Sequence, residues 1–128
     1  MIISMGTDLV EIKRIEDAAR KSPKFIQRIL TIREIQLLAS KGYRSSTLAA
    51  SFAAKEAVSK MLGTGIGEIS WQEIEILNNS KGAPYVVLSG KAEEISRHMG
   101  IDEILISITH DKETAFANVL GQKIDKGD

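Results

Sequence analysis

With 128 residues, 43% of them hydrophobic, 27% charged and only two proline, the chain can bury roughly two-thirds of its unfolded surface in one ordered domain. Seventeen basic and seventeen acidic residues cancel, which argues against a general nucleic-acid binder, and the lack of cysteine excludes disulfides, thiol nucleophiles and cysteine zinc sites. No apolar run approaches a membrane span, and Met1–Met5 is too short for the apolar region of a secretory signal, so no membrane association is expected and the cytoplasm is the expected compartment.

Residues 2–9 read as a buried strand carrying Ile2, Ile3, Met5 and Leu9, and a helix follows over about 11–20. Ser22 and Pro23 predict an N-cap with proline at the first position of a second helix, to about Leu30. Thr31 and Glu34 make a capping box that opens a third helix, which Gly42 ends. Ser45, Ser46 or Thr47 can cap a long helix running through Leu62. Beyond the glycine turn at 63–67 the period becomes strand-like over 72–77, and the turn-rich segment 78–84 leads to a β-branched and aromatic strand at 85–88. Residues 90–98 form a helix ending at Gly100. Ile104, Ile106 and Ile108 alternate with Leu105, Ser107 and Thr109 in a half-buried strand, and a turn at 110–113 leads into a last strand, 114–120. The expected organisation is one α+β domain over 1–122 with a charged, frayed tail at 123–128.

The long helix carries the chemistry. Successive positions lie about 100° apart, so with Glu56 at zero, Ala50, Ala54, Ala57, Val58 and Met61 gather on a core stripe roughly 100–200° away. Phe52 and Lys60 flank Glu56 at about 40° on either side, and an aromatic there suggests that this face meets another subunit. A Glu–Lys pair four apart is commonly a surface pair worth a few tenths of a kcal/mol, and Asp8 at a strand end commonly caps a turn. Taken together, Asp8, Glu56 and Lys60 are the parts needed to hold a hard cation against a phosphate and to offset charge on a departing one.

Gly6-Thr7-Asp8, the helix motif Phe52-Ala-Ala-Lys55-Glu56-Ala57-Val58-Ser59-Lys60, Gly63-Thr64-Gly65-Ile66, Gly82-Ala83-Pro84 and Ser107-Ile108-Thr109-His110 occur in the order and spacing of one family. The chain resembles the small 4′-phosphopantetheinyl transferases of the holo-acyl-carrier-protein synthase type. The resemblance implies a small antiparallel sheet packed with a long central helix and several shorter helices. It implies transfer of phosphopantetheine from coenzyme A to a serine of apo acyl carrier protein, releasing adenosine 3′,5′-bisphosphate. Asp8 and Glu56 would hold Mg²⁺, Lys60 would neutralise charge on the bridging and leaving phosphate oxygens, and Glu56 acting through a water would be the base. It further implies a homotrimer with active sites between subunits.

Around that centre the resemblance adds weaker assignments. Gly63 and Thr64, Gly82 and Pro84, and Thr109 and His110 would contact the coenzyme. By themselves the first pair reads as a glycine helix stop with a turn, the second as a β-turn, and His110 as an exposed strand-end residue. Gly63–Gly67 follows a helix and lacks a Gly-Lys-Ser/Thr, so it is no nucleotide P-loop. His98 reads as a surface residue at a helix end. Residues 10–34 hold seven basic side chains against four acidic ones, and Arg14, Lys21, Lys24 and Arg28 are assigned to steering and orienting the acidic carrier protein. Ser51, Ala83 and Thr114 depart from arginine, a basic residue and tyrosine frequent in the family, with Lys81 a substitute for the second. Two rivals remain: a metal-dependent nuclease, disfavoured by the four-residue Glu–Lys spacing on a helix, and a coenzyme-binding scaffold without turnover.

Overall fold

The computed structural model describes residues 1–125, and the end of the expected frayed tail, 126–128, lies outside them. Five strands and five helices appear in the order β1 (Ile2–Glu11), α1 (Ile12–Lys21), α2 (Phe25–Ile29), α3 (Ile32–Ser40), α4 (Ser45–Met61), β2 (Ile74–Asn78), β3 (Pro84–Leu88), α5 (Gly90–Met99), β4 (Glu103–His110) and β5 (Thr114–Gln122). The fold is α+β as expected, with the antiparallel strands divided between a three-stranded sheet, order β1-β5-β4, and a β2-β3 hairpin. No helix among the described residues is long and apolar enough to cross a membrane.

Helix α4 is the hub. Ala49, Ala53, Ala54, Ala57, Val58 and Met61 are fully buried, and the run of alanines lets the sheet approach closely. Gly6 shows how closely: a Cβ there would overlap the Ala57 carbonyl oxygen and fall 2.8 Å from the Met61 amide nitrogen. Ser4 Oγ donates to the Met61 carbonyl at 2.7 Å, so β1 is fastened to the last turns of α4 by side chains that alternate along the strand.

Burial on α4 extends well past the expected stripe. Lys55, about 100° from Glu56 on the side away from Ala57, is completely enclosed. Its ammonium donates to Glu34 Oε1 at 2.7 Å, to the Trp71 carbonyl at 3.0 Å and to the Ile74 carbonyl. Glu34 also accepts from the Thr31 amide, closing the capping box predicted for α3, and from the Ile76 amide at 2.8 Å. Burial pushes the Lys55 pKa down, opposed by the Glu34 charge. Phe52 packs on Trp71 (centroids 4.9 Å) and Phe25 (6.4 Å), so the ring expected at a subunit contact has partners within its own chain and is partly buried by them.

Other boundaries moved for local reasons. Ser22 does not cap α2; its amide bonds Ala18 and closes α1, and α2 begins at Phe25 without a side-chain cap. Helix α4 follows Arg44, again without a side-chain cap, while Ser45 inside it donates to Glu16 at 2.7 Å. Residues 71–73, partly read as strand, form a 3₁₀ turn whose own capping box joins Ser70 and Glu73. The tail begins tied down: Met1 and Lys123 exchange backbone hydrogen bonds at 2.8 Å, and the Ile124 amide donates to Asp102.

Candidate active site

Asp8 and Lys60, distant in sequence, meet where β1 crosses the C-terminal half of α4. In β1 the side chains at 4, 6, 8 and 10 face α4, which turns Asp8 toward the helix and leaves Thr7 and Leu9 outside. Lys60 Nζ lies 3.0 Å from Asp8 Oδ1 and donates to the Thr7 carbonyl at 3.1 Å. Glu56, one turn earlier, is half-buried; its pKa is raised, first by loss of water and then by the Asp8 charge, against the pull of Lys60 and Arg14. Asp8 is thus close enough for its charge to act on Glu56, behind the larger effect of lost water.

This donor set suits Mg²⁺, which takes one or two carboxylates and completes its shell with waters and substrate phosphates. No group of three or more His, Asp or Glu able to hold a metal occurs among the described residues. The two carboxylates carry one more negative charge than Lys60 balances, and the raised pKa of Glu56 comes first from its loss of water and only second from Asp8.

The remaining coenzyme candidates fall in two places. Gly63 and Thr64 follow α4 in the left-handed turn that ends it, where Gly63 has φ 78° and the Thr64 amide bonds the Ser59 carbonyl. Gly82, Pro84 and His110 instead line a cavity of about 220 Å³ beside the N-terminal half of α4, with Ser46, Ser51 and Ile108. None of Asp8, Glu56, Lys60, Gly63 and Thr64 lines it. Ser51 and Lys60 are nine positions apart, about 14 Å along the helix. One chain thus does not unite the predicted coenzyme contacts. Thr109 is not with His110 either; it lies on the outer sheet face opposite Phe116. Lys41, missed in the sequence, supplies a cation to the cavity wall, and its only signal was a basic residue next to the glycine that ends α3.

Arg14, Lys21, Lys24 and Arg28 are exposed and make no ion pair among the described residues. Their basic neighbours are engaged: Lys13 with Asp17, Arg20 with Glu16 and Asp17, and Arg33 with Glu75. Arg14 differs from the other three in being near enough to act on Glu56.

Comparisons with known proteins follow this geometry. A model of the family described as the 4′-phosphopantetheinyl transferase superfamily matches residues 4–118. The holo-acyl-carrier-protein synthase of Alkaliphilus metalliredigens is 45% identical over 120 residues, covering 94% of this chain and 98% of its own. The crystal structure of the Helicobacter pylori synthase in complex with coenzyme A matches with a TM-score of 0.81 at 38% identity, covering 92% of this chain and 99% of that one. The Neisseria meningitidis synthase matches with a TM-score of 0.88 at 34% identity, over 96% of this chain and all of its own.

Proposed function

We propose a function from one premise: the chain belongs to the 4′-phosphopantetheinyl transferase superfamily. It transfers the 4′-phosphopantetheine group from coenzyme A to a serine of apo acyl carrier protein, giving holo carrier protein and adenosine 3′,5′-bisphosphate. The serine oxygen forms a bond to the phosphorus bearing the pantetheine arm as the bond to the leaving bisphosphate breaks, and the hydroxyl proton passes to a base. The observation that supports the assignment of residues is the Asp8–Lys60 pair across β1 and α4, with Glu56 one turn back on the same helix and within reach of the Asp8 charge.

Asp8 and Glu56 would hold Mg²⁺, which when bound supplies positive charge to the pyrophosphate. Lys60 neutralises charge that grows on the leaving oxygens, and its side chain is half exposed beside the carboxylates. Glu56 takes the serine proton through a bridging water, a role for which its raised pKa suits it. Arg14, Lys21, Lys24 and Arg28 steer the acidic carrier protein. Activity resides in one domain, 1–122, in the cytoplasm, and supplies carrier protein for fatty acid synthesis.

A homotrimer with shared sites is the assembly we favour, on two supports. The outer sheet face aligns Met5, Leu120 and Leu105 in one row, Thr7, Asn118 and Ser107 in the next, and Leu9, Phe116 and Thr109 in a third. Met5, Leu9, Leu105 and Phe116 are exposed there, while buried Asn118 Oδ1 accepts no hydrogen bond among the described residues. The second support is the separation of the two groups of coenzyme candidates along α4, which a neighbouring protomer would remove. Mixed refolding of two inactive variants, Asp8→Ala and His110→Ala, then restores part of the activity; a monomer by light scattering overturns the trimer.

The decisive experiment is incubation with coenzyme A, Mg²⁺ and apo carrier protein, read by intact mass. The expected result is carrier protein heavier by one phosphopantetheine. Binding without that gain would replace the transferase with the scaffold reading.

A further inference from the structure

Lys60 has two partners within the protein itself. Its ammonium bridges two acceptors on consecutive residues of β1, the Thr7 carbonyl and Asp8 Oδ1. Only 16% of the Asp8 side chain is exposed, so another cation approaching that carboxylate meets the ammonium at close range. Lys60 is held less firmly than this suggests, because 53% of its side chain is in solvent and its stem is long and flexible. Charge arithmetic gives the exchange a direction. Asp8 and Glu56 together carry two negative charges, which a divalent cation cancels, leaving the lysine charge without a counter-charge on the protein.

We infer that Lys60 is the internal counter-ion of Asp8 and the competitor of the divalent cation for that carboxylate, released toward phosphate only when Asp8 takes the metal. The inference rests on the reading of Asp8 and Glu56 as metal ligands. It adds that Lys60 lowers metal affinity as well as serving turnover, so one residue couples metal loading to the availability of a charge for the leaving group. A lysine that only contacts phosphate would have no effect on metal binding by the protein alone.

Two measurements on the full chain test this without turnover. In calorimetric titration with Mg²⁺ alone, Lys60→Met binds roughly tenfold more tightly than wild type, the scale of charge repulsion across a few ångströms in water-like surroundings. Lys60→Arg, which keeps the charge, stays close to wild type. In the second, an amine-reactive reagent labels wild-type protein with and without Mg²⁺, and peptide masses report each lysine. Mg²⁺ speeds labelling of Lys60 severalfold and leaves Lys91, paired with Glu68, unchanged. Unaltered affinity in Lys60→Met, or unaltered Lys60 labelling while wild type binds Mg²⁺, overturns the exchange and leaves the metal reading standing. If wild type and both variants bind no Mg²⁺ with or without coenzyme A, the metal reading itself falls, and the inference with it.

Discussion

Two lysine–carboxylate pairs are built from the same helix, five residues apart, and they differ in almost every physical respect. Lys55 and Glu34 are sealed from solvent, and the ammonium meets one carboxylate and two carbonyls. Lys60 and Asp8 lie at the surface, with the lysine half exposed. The buried pair fixes α4 against α3, β2 and the turn at 71–73; the surface pair leaves its lysine half in solvent. A single motif, Lys55-Glu56 followed by Lys60, therefore mixes a structural cation with a chemical one. Spacing on the helix does not separate them; the surroundings do.

The largest effects should come from breaking the buried pair. Lys55→Met leaves the Glu34 charge enclosed and should lower unfolding free energy by about 3–5 kcal/mol, read by urea denaturation. Restoring much of that loss with the double variant Lys55→Met, Glu34→Gln would show that the unpaired charge, not lost packing, is the cause. Lys60→Met should do the reverse: turnover of carrier protein falls about 10²–10³-fold while stability changes by no more than about 1 kcal/mol. Equal losses of stability in both lysine variants would erase the distinction drawn here.

Glu56→Gln sharpens the comparison from the other side. Because the Glu56 pKa is raised in the folded protein, its ionisation costs stability, a cost absent below the ordinary carboxylate range and complete once pH exceeds the raised value. The variant should therefore melt a few degrees higher than wild type near neutral pH, lose that advantage in acid, and fail in transfer. The smallest effect concerns the exposed cations. Lys21→Glu with Lys24→Glu should raise KM for carrier protein several-fold, more so at low salt, and leave kcat near wild type. A fall in kcat with unchanged KM would place these lysines elsewhere in the reaction.

Elements with local signatures were legible in the sequence: the alternation of β4, the Thr31–Glu34 box and the glycine ends of α4 and α5. Features decided by distant partners were not. Ser22-Pro23 has the composition of a helix start, yet the Ser22 amide completes the preceding helix. Phe52 faced Glu56 on a helical projection, but its ring partners, residues 25 and 71, come from other elements. The burial of Lys55 had no local signal, because its partner Glu34, assigned as a capping residue, had a second use. The nearness of Asp8 to Glu56 followed from no pattern within the chain; only the family resemblance joined them, and Gly6 is the residue that lets the strand come so near.

Glu34 receives the Thr31 amide, the Lys55 ammonium and the Ile76 amide, from three segments spread over about a third of the chain. During synthesis on the ribosome that junction cannot close until β2 has left the exit tunnel, so α4 waits as a loosely held, alanine-rich rod. Chains arrested before residue 76 should accordingly be open to protease within α4, and resistance should arrive in one step once the hairpin emerges.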